Sequence, residues 1–336
     1  MGIIEKMRPA LERVGRALLV SAIVVVFSEK LYWYVTGYDV VELILGYFFP
    51  AYVLLWVIDA FRVRWAAPLF LAAAVFGFIT EGVLVGTIYE GGPLGLFSAS
   101  YTPLAWHAPL SVMFGWWWLG RRLAAGSLRG LVAAAAGVGV LWGLWALAWW
   151  LPENVADPAL LAQGARLGRW PTPDFAAHAF TFTALLVAAH GLLGRMRPAA
   201  FLPSRVELAL VGGGLLFFFV GVLAAVPWAP LKLVPLLALT LAALAAHRRR
   251  EPPGSLLEDQ SGPARPAALL ALFAMPAAAV AVYAAAAALD PPVGVIYAIT
   301  AYGGVLATGV AGWVVYAVAW VRTMLGRGRG NGEGGG

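Results

Sequence analysis

The chain has 336 residues, of which 62% are hydrophobic and only 12% charged, with mean hydropathy +0.82 and no cysteine. A water-soluble domain carries about 25% charged residues, so too little polar surface remains to cover a globule in water, and lipid must be the main solvent. The missing cysteine excludes disulfides, Cys-ligated iron–sulfur clusters and c-type haem attachment. The formal charge of +6 does not point to nucleic acid, because the arginines sit in short breaks between apolar runs.

Those runs are continuous rather than alternating, so the predicted fold is all-α, a polytopic transmembrane helix bundle and not a barrel. At ~20 residues per crossing, about ten spans are predicted: 17–36, 41–61, 66–88, 104–120, 128–151, 174–194, 205–226, 228–246, 266–289 and 293–321. The first run lacks an A-x-A-like site, so no cleaved leader is expected. The break at Pro227–Pro230 predicts a tight hairpin between the seventh and eighth spans. With the N-terminus cytoplasmic, every basic residue of the 23 except Lys30, Arg166, Arg169 and Lys232 falls on the cytoplasmic side. That alternation satisfies the positive-inside rule and predicts both termini in the cytoplasm of a cell-membrane protein.

Two connections are longer. The outer segment 152–173 holds Asp157-Pro158, a good cap and first-turn pair, then Leu160, Leu161 and Leu167 among Arg166 and Arg169. It reads as an amphipathic surface helix or a lid, and as the surface on which a protein partner would dock. The segment 247–265, with Arg248-Arg249-Arg250 and three prolines, reads as a flexible cytoplasmic linker. It would divide a main bundle of about eight spans (1–246) from a two-span C-terminal hairpin (266–325), and a Gly/Arg-rich tail, 326–336, reads as disordered.

Ionisable residues inside spans are costly, by roughly 2.5–3.5 kcal/mol for an acid at the helix centre, so each needs a partner or a purpose. Glu81 is the outstanding case. It lies about two turns inward from Tyr89, read as an interface aromatic, and beside the small pair Gly82 and Gly86, which predicts close helix packing there. Glu29 lies a turn inward from Tyr32, Trp33 and Tyr34. His107 opens the fourth span behind Trp106, and its solvated, interfacial reading competes with a proton-relay role. His178 follows Asp174 at helical i,i+4 spacing, which would orient its imidazole. Glu29, Glu81, His107 and His178 thus share the outer half of the membrane on four spans, and would form one acid/histidine cavity if those spans meet. Glu90 reads as hydrated, Asp59 as paired with Arg62, and Ser98, Ser100 and Thr102 as loop residues. His190 and His247 fall at the cytoplasmic edge. Trp116-Trp117-Trp118 and Trp149-Trp150 read as interface belts.

No metal-ligand spacing, P-loop or nucleophile-elbow motif is present. A mixed His/Glu metal site or a haem held between His107 and His178 are minor alternatives, and the sequence specifies no cofactor. Pro109 through Leu119-Gly120-Arg121-Arg122 to Gly137 and Gly139 faintly resembles part of the drug/metabolite transporter superfamily. Glu81 through Gly86, Tyr89, Tyr101 and Trp106 loosely resembles membrane carotenoid hydratases. Neither likeness extends far enough to place the chain in a family.

Three functions fit these residues. The leading expectation is a transporter or permease for a small or amphipathic solute, with Glu81 as the coupling acid in an outward-facing cavity. The alternatives are a membrane-embedded enzyme acting on a lipid or isoprenoid at the outer leaflet, and a non-catalytic membrane anchor of a redox complex. Membrane lipids are partners in all three, and nucleic acid in none.

Overall fold

The computed structural model describes residues 3–31, 40–150, 170–258, 262–292, 295, 299 and 303–326. Every regular element among them is helical. The long ones are α1 (Ile3–Val25), α2 (Val40–Ala60), α3 (Ala66–Ile79), α4 (Pro103–Trp118), α5 (Leu128–Ala146), α6 (Thr172–Leu193), α7 (Arg205–Ala225), α8 (Ala229–Arg248), α9 (Ala274–Leu289) and α10 (Val305–Leu325). Two of them run on as wider π-helical turns, α1 through Val26–Lys30 and α3 through Thr80–Val85, and α4 is itself π-helical. Among the described residues, eight helices are long and apolar enough to cross a membrane, all but α1 and α4. The chain is a multi-pass membrane protein. The outer segment 152–173 falls outside the described residues up to 169, as do Tyr32, Trp33 and Tyr34 and the tail from 327.

α3 is the hub. Each residue from Ala67 to Ile79 is buried, and α2, α4, α8 and α10 pack around it. Nothing polar occurs along that stretch, so the helix is apolar all round, as a helix enclosed by others must be. At the opposite extreme, only Val211 of α7 is buried. α7 and α8 are joined tightly at Val226–Trp228, but α7 leans on α2 and on the Thr80–Val85 turn.

The C-terminal helices do not form the expected hairpin. α9 packs on α5 and α6, whereas α10 packs on α3, α4 and α8. Small residues explain the difference. Gly139 and Gly143 on α5 make a small-xxx-small face, and α9 is alanine-rich, so the two backbones close in as lipid-embedded helices do. A Cβ on Gly143 would lie 2.6 Å from the Ala279 carbonyl, and one on Gly139 would strike the Met275 carbonyl. Gly309 of α10 meets the Phe97 ring and Gly312 meets Ser100.

The linker is also more ordered than its composition suggests. Arg62 adopts a left-handed backbone (φ 57°) and donates to the Glu251 carbonyl at 2.6 Å. Arg64 donates to the Pro253 and Gly254 carbonyls. The Leu256 amide bonds to the Val63 carbonyl at 2.9 Å, with Leu256 and Leu257 buried. Asp59 accepts from Ser255 Oγ at 2.8 Å rather than pairing with Arg62. A tight arginine turn thus needs backbone acceptors, and the linker supplies them.

Gly139→Ala is expected to destabilise the bundle by about 1–3 kcal/mol through overpacking against α9. Gly137→Ala, where a Cβ meets nothing within 4 Å, is expected to be neutral or mildly stabilising. Melting temperatures of the two variants in one detergent check the pairing, and equal effects would refute it.

Candidate active site

Glu81 sits on the first π-helical residues after α3, where a wider turn re-aims side chains relative to an α-helix. The Glu81 carbonyl accepts the Gly86 amide at 2.9 Å, and Gly86 ends the turn with φ 91°, a conformation that favours glycine. Of the Gly82/Gly86 pair, Gly82 makes a close helix approach, to Leu233 of α8, while a Cβ on Gly86 would meet nothing within 4 Å; Gly77 makes a second approach. A Cβ on Gly77 would come within 2.6 Å of the Pro103 carbonyl, and one on Gly82 within 2.8 Å of Ile88 and Leu233. Gly77 brings α3 against the start of α4, which puts Glu81 opposite His107.

The two form a buried pair. Glu81 is 5% exposed and His107 2% exposed, and Glu81 Oε1 lies 2.5 Å from His107 Nε2. The other carboxylate oxygen accepts from the Thr87 hydroxyl. On the far side of the ring, His107 Nδ1 lies 2.9 Å from Ser28 Oγ, and Ser28 Oγ lies 2.9 Å from Ser111 Oγ. A continuous hydrogen-bonded chain results: Ser111, Ser28, His107, Glu81, Thr87. His107 is thus buried and hydrogen-bonded through both ring nitrogens, not a solvated interfacial histidine.

The chain can be proton-ordered in two ways. With Nε2–H donating to an ionised Glu81, Nδ1 accepts from Ser28, which accepts from Ser111. With a protonated Glu81 donating to Nε2, Nδ1–H donates to Ser28, which donates onward to Ser111. Both orders satisfy every member and they differ by one proton, so the chain has the connectivity to pass a proton between its ends by reversing direction.

Glu29 belongs to the same site. Tyr47 donates to its Oε1, and the Tyr47 and Phe76 rings meet the His107 imidazole edge-on, at 6.2 and 5.9 Å between centroids. Glu29, Glu81 and His107 line one cavity of about 320 Å³ together with Ser28, Thr87 and Glu90. Phe97, Tyr101 and Trp106 form its aromatic wall, and Trp106 is fixed by its indole N–H donating to the Phe27 carbonyl at 2.8 Å. Glu90, expected to be merely hydrated, is on its rim. Partial burial first, and the charge of Glu81 next, raise the Glu90 carboxyl above its ordinary value, while Lys232 pulls it back.

His178 is the exception among the four expected residues. Its Nε2 is hydrogen-bonded to the Lys30 carbonyl at 3.0 Å, and Trp142, Trp170 and Phe182 surround the ring. It is not among the residues that line the cavity. With both nitrogens of His107 engaged and His178 in a separate aromatic nest, the geometry does not suit a haem bridged between them. Among the described residues, no group of three metal-ligating side chains comes together.

Over the cavity lies the loop from Glu90 to Phe97. Lys232 reaches from α8 to donate to the Gly95 carbonyl at 2.5 Å and the Gly92 carbonyl at 3.2 Å, and to Ser98 Oγ at 3.2 Å. Ser98 in turn bonds the Glu90 and Ile88 carbonyls at 2.7 and 2.9 Å. Ser100 is buried and donates to the Gly309 carbonyl. These serines are therefore structural fasteners of the loop, not ordinary loop residues. Tyr89, read as an interface aromatic, is buried and donates to the Gly82 carbonyl at 2.8 Å. His190 and His247 are buried as well.

Ser28, Ser111, Thr87, Tyr47 and Lys232 were not anticipated. The available signal was the one that exposed Glu81: a polar group inside an apolar span asks for a partner. Hydroxyls gave it weakly, because a Ser or Thr can satisfy itself on its own helix backbone.

No protein-family model, curated protein or solved structure matches this chain.

The raised Glu90 carboxyl has a measurable consequence. Folding favours its protonated form, so it contributes stability below its ordinary value near pH 4.5 that is lost as the pH climbs through its raised value. Glu90→Gln removes that loss. The melting temperature of the variant minus that of the wild type is expected to increase from pH 4 to pH 7, and a flat difference would refute the electrostatic placement.

Proposed function

We propose that this protein is a membrane-embedded enzyme that adds protons to, and removes them from, an apolar substrate of lipid or isoprenoid type. The buried Glu81–His107 pair in a carboxylate-lined cavity is the observation that carries the reading. General acid–base chemistry at carbon needs one group to give a proton and another to take one, and the cavity offers Glu81, backed by the histidine–serine chain, and Glu29, backed by Tyr47. The cavity's lining also holds Val85 and Phe97, which are 54% and 42% exposed. An apolar molecule entering past Val85 and Phe97 would meet these greasy side chains before the buried Glu81. A volume of about 320 Å³ takes the reacting end of such a chain, in the size range of ligand pockets.

The reading extends to topology. Ten crossings, with α1 and α4 counted, and both termini cytoplasmic agree with the distribution of basic residues and would put the cavity toward the outer leaflet of the cell membrane. A proton-coupled transporter, the leading sequence expectation, is the second reading. One observation favours it: a small cavity of about 60 Å³ at the other end of α4, beside Trp116 and Gly120 and lined by the buried His190. A second chamber on the same helix is what two-sided access requires.

The two separate in heavy water. Nanodisc-embedded protein incubated with a mixture of acyclic isoprenoids in D₂O is expected to place deuterium on carbon, read by mass spectrometry. Glu81→Gln is expected to slow incorporation by 10²–10⁴-fold, the usual range for a lost general acid, with the melting temperature maintained. Absence of incorporation by the wild type, together with solute accumulation in proteoliposomes driven by a pH gradient, would replace the enzyme with the transporter.

A further inference from the structure

At the end of the bundle opposite Glu81, most arginines are already committed. Arg13 forks onto Glu207 at 2.6 and 2.8 Å, Arg16 donates to the Arg197 and Ala199 carbonyls, and Arg62 and Arg64 hold the linker. Arg121 and Arg122 differ. They lie just past the end of α4, four residues after Trp117 and Trp118, and each guanidinium sits over the indole one turn back, at 5.5 and 5.3 Å from the ring centroid. Both are exposed, and no carboxylate among the described residues is within ion-pair distance of either.

Stacking consumes the face of a guanidinium and not its edge, so the N–H donors of both forks stay available. They border a groove of about 590 Å³ whose other walls include Gly262 and Pro263. A third guanidinium stands at the corner: a Cβ on Gly126 would come within 2.9 Å of the Arg265 side chain, and Gly126, with φ 73°, makes the turn that allows this approach. Two planar forks held by indoles, a third cation nearby and no acid among the described residues of the lining describe an anion-recognition surface. The geometry of paired N–H edges matches a phosphodiester.

We propose that this groove binds the phosphate of an anionic membrane phospholipid. The lipid is favoured over free phosphate by position. The groove sits at the end of membrane-crossing helices, its forks rest on tryptophans, the residues that anchor at the headgroup level, and Ala124, Ala125 and Pro263 give it an apolar flank for the glycerol and upper acyl chain. Basic pockets between helices recognise anionic headgroups in this way. On the positive-inside reading it faces the leaflet where those lipids concentrate.

Native mass spectrometry of the purified protein, titrated with phosphatidylglycerol or with phosphatidylcholine in the same detergent, tests this directly. The wild type is expected to bind phosphatidylglycerol saturably at a concentration at least tenfold lower than phosphatidylcholine. The Arg121→Gln/Arg122→Gln variant is expected to lose that preference, and Arg248→Gln/Arg249→Gln, which removes the same charge from the same end of the bundle, to keep it. An Arg121→Lys/Arg122→Lys variant retains the charge without the forks, and is expected to bind at least threefold more weakly than wild type. It carries the test if the glutamine pair melts early in phosphatidylcholine alone. Equal losses in the two glutamine variants would overturn the proposal in favour of diffuse charge. Displacement of the lipid by 10 mM inorganic phosphate would overturn it in favour of a soluble phosphate ligand.

Discussion

A carboxylate carried into hydrocarbon must be neutralised or paired, and in this molecule Glu81 is paired with a histidine from the next long helix. Much of the surrounding geometry serves that contact. α3 and α4 can approach only because Gly77 presents no side chain to Pro103. π-helical turns occur at Val26–Lys30, at Thr80–Val85 and along α4, the three places that supply Ser28 and Glu29, Glu81, and His107 and Ser111. A π-turn leaves an α-helical register by one residue, and so moves a side chain around the helix without moving it far along it. Pro109 lies within α4 and withholds one backbone donor from the ladder, which loosens the register in the same helix. Helix distortion and catalytic-type residues coincide because the first is what converges the second.

Element positions were largely legible because a membrane span announces itself by length and apolarity, although α1 begins at Ile3 rather than 17 and α10 at Val305 rather than 293. Pairing between helices was much less so. In lipid there is no wet face to contrast with a dry one, so the apolar pattern of α9 or α10 carries no instruction about its neighbour. Gly139 and Gly143 did carry one, but a glycine reveals only that something comes close. The linker was misread for a related reason: prolines and charges describe a soluble segment, yet the carbonyls of Glu251, Pro253 and Gly254 are what Arg62 and Arg64 need.

The candidate site divides along the same line. Cost in hydrocarbon singled out Glu81, Glu29 and His107, and the fold brings all three to one cavity. Depth, however, says nothing about direction around the bundle axis, and His178, expected at the same depth, faces a nest of Trp142, Trp170 and Phe182. The hydroxyls of Ser28 and Ser111 completed the chain without any strong sequence signal. Lys232 was read as one of four stray outer cations; its three contacts on the Gly92–Ser98 segment give it a reason to be there. A lysine that is 6% exposed needs acceptors, and a glycine-rich loop folded over a cavity has spare carbonyls to offer.

The order Ser28–His107–Glu81 invites comparison with a hydrolytic triad, and the connectivity argues against it. In a triad the serine is the terminus of the relay, with its oxygen open to a carbonyl carbon and donors waiting for the oxyanion. Here Ser28 is an interior link, bonded to His107 on one side and Ser111 on the other, and only 5% exposed. The member with its second polar atom turned to another cavity group is Glu81, through Thr87. A proton passed along this chain therefore emerges at a carboxyl and not at a nucleophilic oxygen. That is the arrangement the proposed function asks for, a general acid backed by a buried hydrogen-bonded chain.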